Sequence, residues 1–156
     1  MAVEIERKFL VADDSWRANA DGGTRMRQGY LQGSGQASVR VRQQGERAYL
    51  NIKSLTLGVR RLEYEYEIPL QDAQELFDRL CAKPLVEKVR YRVPYAGHEW
   101  EVDVFEGDNA GLIVAELELG GEDESFESPS WVGKEVSHDT RYYNVNLVKH
   151  PYKDWT

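Results

Sequence analysis

Arg61-Leu62-Glu63-Tyr64-Glu65-Tyr66-Glu67 alternates charged and apolar residues without a break, and that alternation decides the fold. Side chains two apart on a strand point the same way, so Arg61, Glu63, Glu65 and Glu67 share one face while Leu62, Tyr64 and Tyr66 share the other. The same period extends to residue 69 and recurs on both sides, over 3–10, 38–43, 48–54, 89–95, 99–106 and 113–119. Gly33-Ser34-Gly35, Gly45-Glu46 and Ala96-Gly97 lie between successive runs and suit hairpins, so an antiparallel meander is expected, as a barrel or a strongly curled sheet. Helical signals are fewer. Residues 71–81 place Ala73, Leu76, Phe77 and Leu80 on one stripe, with Pro84 just beyond. A short helix is predicted after Asp13 or Ser15, and another from 139 to about 149, stopped by Pro151. The class is α+β with strands dominant and the helices packed outside.

Composition sets the frame. The 156 residues carry a net charge of −7, with 41% hydrophobic and 30% charged, which predicts a single folded domain over 1–156 and no disordered tract. No run approaches the ~18 apolar residues of a membrane-spanning helix, and the opening MAVEIERKFL has no apolar leader block, so a cytoplasmic protein with no membrane partner is expected. A lone cysteine, Cys81, excludes an intrachain disulfide framework and a cysteine-based zinc site. His98, His138 and His150 lack zinc-site spacing and read as surface residues. The acidic balance argues against nucleic-acid binding, which rests on a basic face. The run Glu122-Asp123-Glu124 reads as a solvated loop.

The polar phase of the strands sorts its charges by sign. Glu4, Glu6 and Lys8 share one face; Arg40 and Arg42 another; then Glu63 and Glu65; then Lys88, Arg90 and Arg92; then Glu101 and Asp103; then Glu116 and Glu118. A face built for solubility mixes signs, because like charges side by side on a sheet repel. The opposite phase is strongly apolar. Two geometries satisfy this pattern: an ordinary sheet with its apolar face inward, or a barrel with a polar bore and a covered exterior. In the second, Lys8, Arg40, Arg42, Lys53, Lys88 and Arg90 would face Glu4, Glu6, Glu63, Glu65, Asp103, Glu116 and Glu118 across one lumen. Arginine forks and lysine ammonium groups suit phosphate, while the carboxylates suit Mg²⁺ or Mn²⁺, hard cations that bridge to phosphate oxygens. Such a lumen is a metal-assisted phosphate site.

The pentapeptide Glu4-Ile5-Glu6-Arg7-Lys8 resembles the E-x-E-x-K signature of CYTH proteins, within the triphosphate tunnel metalloenzymes. The order that follows makes the match specific: Arg40-Val41-Arg42, Asn51-Ile52-Lys53, the stretch from Arg61 to Glu67, Glu87-Lys88-Val89-Arg90-Tyr91, the segment Trp100 to Phe105, Ala115-Glu116-Leu117-Glu118-Leu119 and Gly133-Lys134-Glu135-Val136. It covers residues 3–152. The resemblance implies an eight-stranded antiparallel barrel forming a tunnel. Within it Lys8, Arg40, Arg42, Lys53, Lys88 and Arg90 would bind a small-molecule triphosphate, and Glu4, Glu6, Glu63, Glu65, Asp103, Glu116 and Glu118 would hold metal or support its ligands. Glu67, Arg92, Glu101, Lys134 and Glu135 fall near strand ends and are left out of the set.

Arg27-Gln28-Gly29-Tyr30-Leu31 resembles the R-Q-G-Y-L of short bacterial members, which implies that Tyr30 and Lys88 position or activate the attacking water. A tyrosine packed at a strand edge is the competing reading of Tyr30. The activity implied is metal-dependent hydrolysis of inorganic tripolyphosphate to diphosphate and phosphate. Thiamine or nucleoside triphosphate hydrolysis, ATP cyclisation and plain polyphosphate binding are the alternatives. Trp16, Trp100, Trp131 and Trp155 all fall outside the ligand positions, which favours the inorganic substrate over one with a stacking base. The outward Tyr64, Tyr66 and Tyr91 suggest a homodimer.

Overall fold

The computed structural model describes residues 3–32, 34–55 and 58–155. Nine strands follow the chain: β1 (Val3–Val11), β2 (Thr24–Leu31), β3 (Ala37–Gln44), β4 (Arg47–Ser54), β5 (Arg60–Ile68), β6 (Val86–Tyr95), β7 (His98–Phe105), β8 (Ile113–Leu119) and β9 (Val132–Glu135). Two α-helices accompany them, α1 (Leu70–Arg79) and α2 (Asn144–Lys149). The strand order is β5-β4-β3-β2-β6-β7-β8-β1, and β1 pairs back onto β5, so eight antiparallel strands close a ring.

Closure is asymmetric along β1. Its Val3–Ile5 end pairs with β5, Glu6 N–H donates to the Val59 carbonyl at 2.9 Å, and from Phe9 onward the same edge pairs with the ninth strand, β9. Between them Lys8 N–H donates to Ser137 Oγ at 2.9 Å and the Lys8 carbonyl accepts from Val136 N–H at 2.8 Å, so the edge stays hydrogen-bonded through the handover.

Glycines do the turning where the sequence places them. Gly45 (φ +60°) closes β3 to β4 in a two-residue loop, and Ala96 with Gly97 (φ +48° and +83°) closes β6 to β7, the doubly left-handed turn that matches the strand twist. The Gly33-Ser34-Gly35 connection is described only from Ser34, since Gly33 lies outside the described residues. Gly29 serves close packing instead. A Cβ there would come within 2.8 Å of Cys81 Sγ, so its bare backbone lets the turn after α1 lie against β2.

The apolar phase faces outward and is buried under cover. Ile5, Phe9, Trp100, Val102, Leu117 and Leu119 pack beneath Trp16 from a 3₁₀ turn (Asp14–Asn19) and Trp131 from the loop before β9. Ala73 and Phe77 of α1 cover Val41 and Ala48. Asp13 caps the 3₁₀ turn by accepting from Ser15 N–H at 2.8 Å, so the element expected there is shorter and tighter than an α-helix. Leu80, expected on the α1 stripe, is 64% exposed because the helix ends at Arg79 and Leu80 turns away as its C-cap. The helix expected over 139–149 is a 3₁₀ turn (Thr140–Tyr142) and α2, separated at Tyr143, whose backbone is extended.

Two strands lack a clean period-2 signal. β2 carries Arg25, Arg27 and Gly29 on its outer face, where Arg27 lies over the Phe77 ring at 5.0 Å, and β9 is only four residues long. Glu124, read as part of a solvated loop, accepts from Gly120 N–H and lies 2.7 Å from His98 Nε2, fastening that loop to the barrel.

Candidate functional site

The polar phase lines the bore. One cavity of about 600 Å³ is bounded by Glu4, Glu6, Lys8, Tyr30, Arg40, Arg42, Lys53, Glu63, Glu65, Lys88, Arg90, Glu116 and Glu118, so twelve of the thirteen expected charged positions share it with Tyr30. The exception is Asp103, which shares the inward phase but is 1% exposed, covered by Lys88 and Arg90. Strand parity explains the convergence. Lys8 opposes Glu116, Glu6 opposes Glu118, Arg90 opposes Asp103 and Lys53 opposes Glu63, each pair in register across neighbouring strands. One end of the bore is apolar: Val86, Phe105 and Val114 meet Tyr142 and Leu147, so α2 and the turn before it close that end.

Opposite charges interleave around the wall. Lys8 Nζ lies 3.4 Å from Glu116, Lys53 Nζ 3.2 Å from Glu4 and 3.3 Å from Glu63, and Arg42 2.7 Å from Glu65. Arg90 grips Asp103 with two hydrogen bonds of 2.8 and 2.9 Å and Glu116 with one of 2.6 Å. Lys88 lies 2.8 Å from Oδ2 of the same Asp103. Both Asp103 oxygens thus face cations, and this carboxylate, expected to hold metal or support its ligands, anchors Lys88 and Arg90. Glu63 and Glu65 likewise face cations: Glu63 approaches Arg40 and Lys53, and Glu65 accepts from Arg42 and from Asn51 Nδ2 at 2.7 Å. Among the described residues no three histidine, cysteine, aspartate or glutamate side chains converge with metal-ligating geometry.

Of the remaining acids, Glu4 and Glu116 pair with cations of the same wall, whereas Glu6 and Glu118 have no ion pair among the described residues. Glu6 shares a hydrogen bond with Glu116, and burial, then the charges of Glu116 and Glu4, hold its carboxyl well above the usual range. Glu118 is raised by burial and then by Glu4, Glu101 and Glu63. Glu116 moves the other way: despite its burial, Lys8 and Arg90 hold it well below the usual carboxylate value. Glu4, Glu6, Glu116 and Glu118 are the carboxylates that would hold a divalent cation, whose charge would relieve the repulsion on Glu6 and Glu118 and which takes hard oxygen donors.

Tyr30 and Lys88 face the same cavity with different partners. The Tyr30 hydroxyl bonds to Arg40 and is pushed up by burial. Lys88 is 2% exposed, and burial first, offset by Asp103, lowers its ammonium to about 8. Its second acceptor is Asn144 Oδ1 at 2.9 Å, on α2.

Several participants lie outside the set expected from sequence. Arg61, Arg92 and Glu101 line the cavity, and their period-2 phase is the signal that marks them for it; Glu101, expected near a strand end, lies in the middle of β7, paired with Arg92 and Glu116. Asn51 shares the phase of Lys53 and accepts two hydrogen bonds from Arg40, at 3.2 and 3.1 Å. Tyr143 and Asn144 carry no periodic signal and reach the bore only because the chain returns after β9. Trp16, Trp100 and Trp131 are core residues of the outer wall, away from the bore.

Comparison with known proteins agrees with this architecture. The CYTH domain family model matches residues 2–152. An inorganic triphosphatase of Acetivibrio thermocellus is 48% identical over 155 residues, spanning 99% of both chains, and one of Nitrosomonas europaea is 38% identical over 153 residues, spanning 93% of this chain and 96% of that one. The crystal structure of the inorganic triphosphatase NE1496 superposes with a TM-score of 0.66 at 36% identity, covering 95% of each chain. With a closed eight-stranded ring, a two-signed bore and a family match over nearly its whole length, the chain belongs to the CYTH family.

Proposed function

We propose that the protein hydrolyses inorganic tripolyphosphate to diphosphate and orthophosphate inside the bore, with Mg²⁺ or Mn²⁺. The observation that carries this is the single cavity that gathers Lys8, Arg40, Arg42, Lys53, Lys88 and Arg90 against a carboxylate patch. The named activity of the two relatives supports the same substrate.

In this reading the cations bind the three phosphoryl groups and balance the charge that builds on the departing diphosphate, positioning plus electrostatics being the main work in phosphoryl transfer. Water attacks the terminal phosphorus, the bond to the bridging oxygen breaks, and Lys88 Nζ takes the water proton while the Tyr30 hydroxyl hydrogen-bonds the water. Desolvation equips Lys88 for this, since an amine near 8 accepts a proton at neutral to alkaline pH far more readily than one at 10.5. Glu4, Glu6, Glu116 and Glu118 would hold the divalent cation, which supplies Lewis-acid polarisation of phosphoryl oxygens when bound. Glu63, Glu65 and Asp103 act by holding cations in place.

Turnover of tripolyphosphate, thiamine triphosphate and ATP, compared with Mg²⁺ and with Mn²⁺, tests the assignment. Tripolyphosphate should be hydrolysed fastest with either ion. Faster cleavage of thiamine triphosphate, or conversion of ATP to a cyclic nucleotide, would replace it. We further propose self-association through β5, whose outer Leu62, Tyr64 and Tyr66 are 45%, 45% and 57% exposed and carry no helix. A small anion, not a nucleic acid, is the partner that a net charge of −7 with internal cations accommodates.

A further inference from the structure

We infer that Asn144, the first residue of α2, is a positioning residue that fixes the direction in which Lys88 meets the substrate. The inference rests on the catalytic reading of Lys88 given above. Asn144 Oδ1 accepts from Lys88 Nζ at 2.9 Å and from Gln28 Nε2 at 2.8 Å. A lysine ammonium can only donate, and in the free base the one lone pair must point at the bore to take a proton, so the side of Lys88 toward Asn144 carries an N–H and the Asn144 oxygen faces it. Gln28 must then turn its NH₂ toward Asn144, which leaves Gln28 Oε1 buried with no hydrogen-bond partner among the described residues. Gln28 is fully buried. A buried carbonyl left unpaired is unusual in a native interior, and here it follows directly from holding Asn144 in one orientation.

The consequence falls on Lys88. Two of its three substituent directions point at acceptors, Asp103 Oδ2 and Asn144 Oδ1, and neither acceptor can face a lone pair. The third direction is therefore the one that carries whatever Lys88 offers to the bore, a proton or a lone pair. Asp103 alone would let the amine rotate about its own axis. Asn144 arrives on a separate element, by way of the chain that also closes the apolar end of the bore, so docking of α2 and aiming of Lys88 are one event.

The test is steady-state tripolyphosphate hydrolysis by Asn144→Ala, Gln28→Met, the double variant and Lys88→Met, with thermal melts beside it. Asn144→Ala should lower kcat about ten-fold or more while KM stays within about three-fold, since misdirecting a reacting group costs rate before it costs binding. Gln28→Met removes only the tether to Asn144 together with the unpaired carbonyl, so it should fold and lower kcat by about three-fold. The double variant should be no slower than Asn144→Ala alone, as expected for two residues acting through one amine. If Lys88→Met is impaired but Asn144→Ala and Gln28→Met keep full kcat, or if their effects multiply, the inference is overturned. If Asn144→Ala does not fold, full kcat in Gln28→Met overturns it alone. If Lys88→Met itself keeps kcat, the failure lies with the reading of Lys88.

Discussion

Lys8 shows how much depends on one side chain. It is 9% exposed, pairs with Glu116 and faces the cavity, so Lys8→Ala removes a proposed phosphate ligand and also leaves Glu116 short of a cation. Loss of one charge-assisted contact of about 1.5–3 kcal/mol corresponds to a rise in KM of roughly 10- to 100-fold, readable from tripolyphosphate saturation curves. Glu6 makes a different prediction. Its raised carboxyl keeps its proton to a higher pH than an ordinary glutamate does, and a cation bound there would displace that proton, so Mg²⁺ binding should release protons and metal affinity should increase with pH. Calorimetry in two buffers of different ionisation enthalpy measures the release, and Glu6→Gln should abolish it. Lys88 sets the alkaline side. Below about 8 its amine is protonated, and above it the free base can accept the water proton, so kcat should climb through that region and then level. In Lys88→Arg, whose guanidinium stays charged throughout, that rise should vanish from the pH profile.

Elements divide the labour between wall and cover. α1 packs Phe77, fully buried, on Val41 and Ala48 outside the ring and contributes nothing to the bore. Phe77→Ala should therefore destabilise by about 3–5 kcal/mol in denaturant unfolding while leaving kcat unchanged below the melting range. Legibility in the sequence follows the same division. Strands with a polar inner phase and an apolar outer phase announce themselves by period two, and that is how β1, β3, β4, β5, β6, β7 and β8 and their inward charges are readable. β2 is not, because its inner phase of Met26, Gln28 and Tyr30 is mostly apolar or neutral while arginines coat the outside. The strand residues of the site are legible for the same reason. Asn144 is silent because its contact with Lys88 spans 56 positions and depends on where α2 docks. For Asp103, parity fixes the side of the strand but says nothing of which oxygen meets which cation, and the two arginine bonds that make it an anchor are invisible to it.

At the scale of the molecule, the ring turns the usual arrangement inside out: ions within, aromatic and aliphatic side chains without. That outer layer is covered everywhere the 3₁₀ turn, α1 and the loop before β9 reach, but not over β5. Tyr66→Glu places a charge at the centre of the bare face, so, under the proposed pairing through β5, sedimentation should show a dimer for the parent protein and a monomer for the variant, with hydrolysis retained. β1 carries a further consequence. The same few residues that knit the two rims of the sheet together, Val3–Ile5 against Arg60–Leu62, flank or include the acids Glu4 and Glu6. Clasp and proposed cargo hold thus share one length of chain: whatever loosens the fastening also scatters these acids, and an ion bound to them should in turn keep the hoop from springing open.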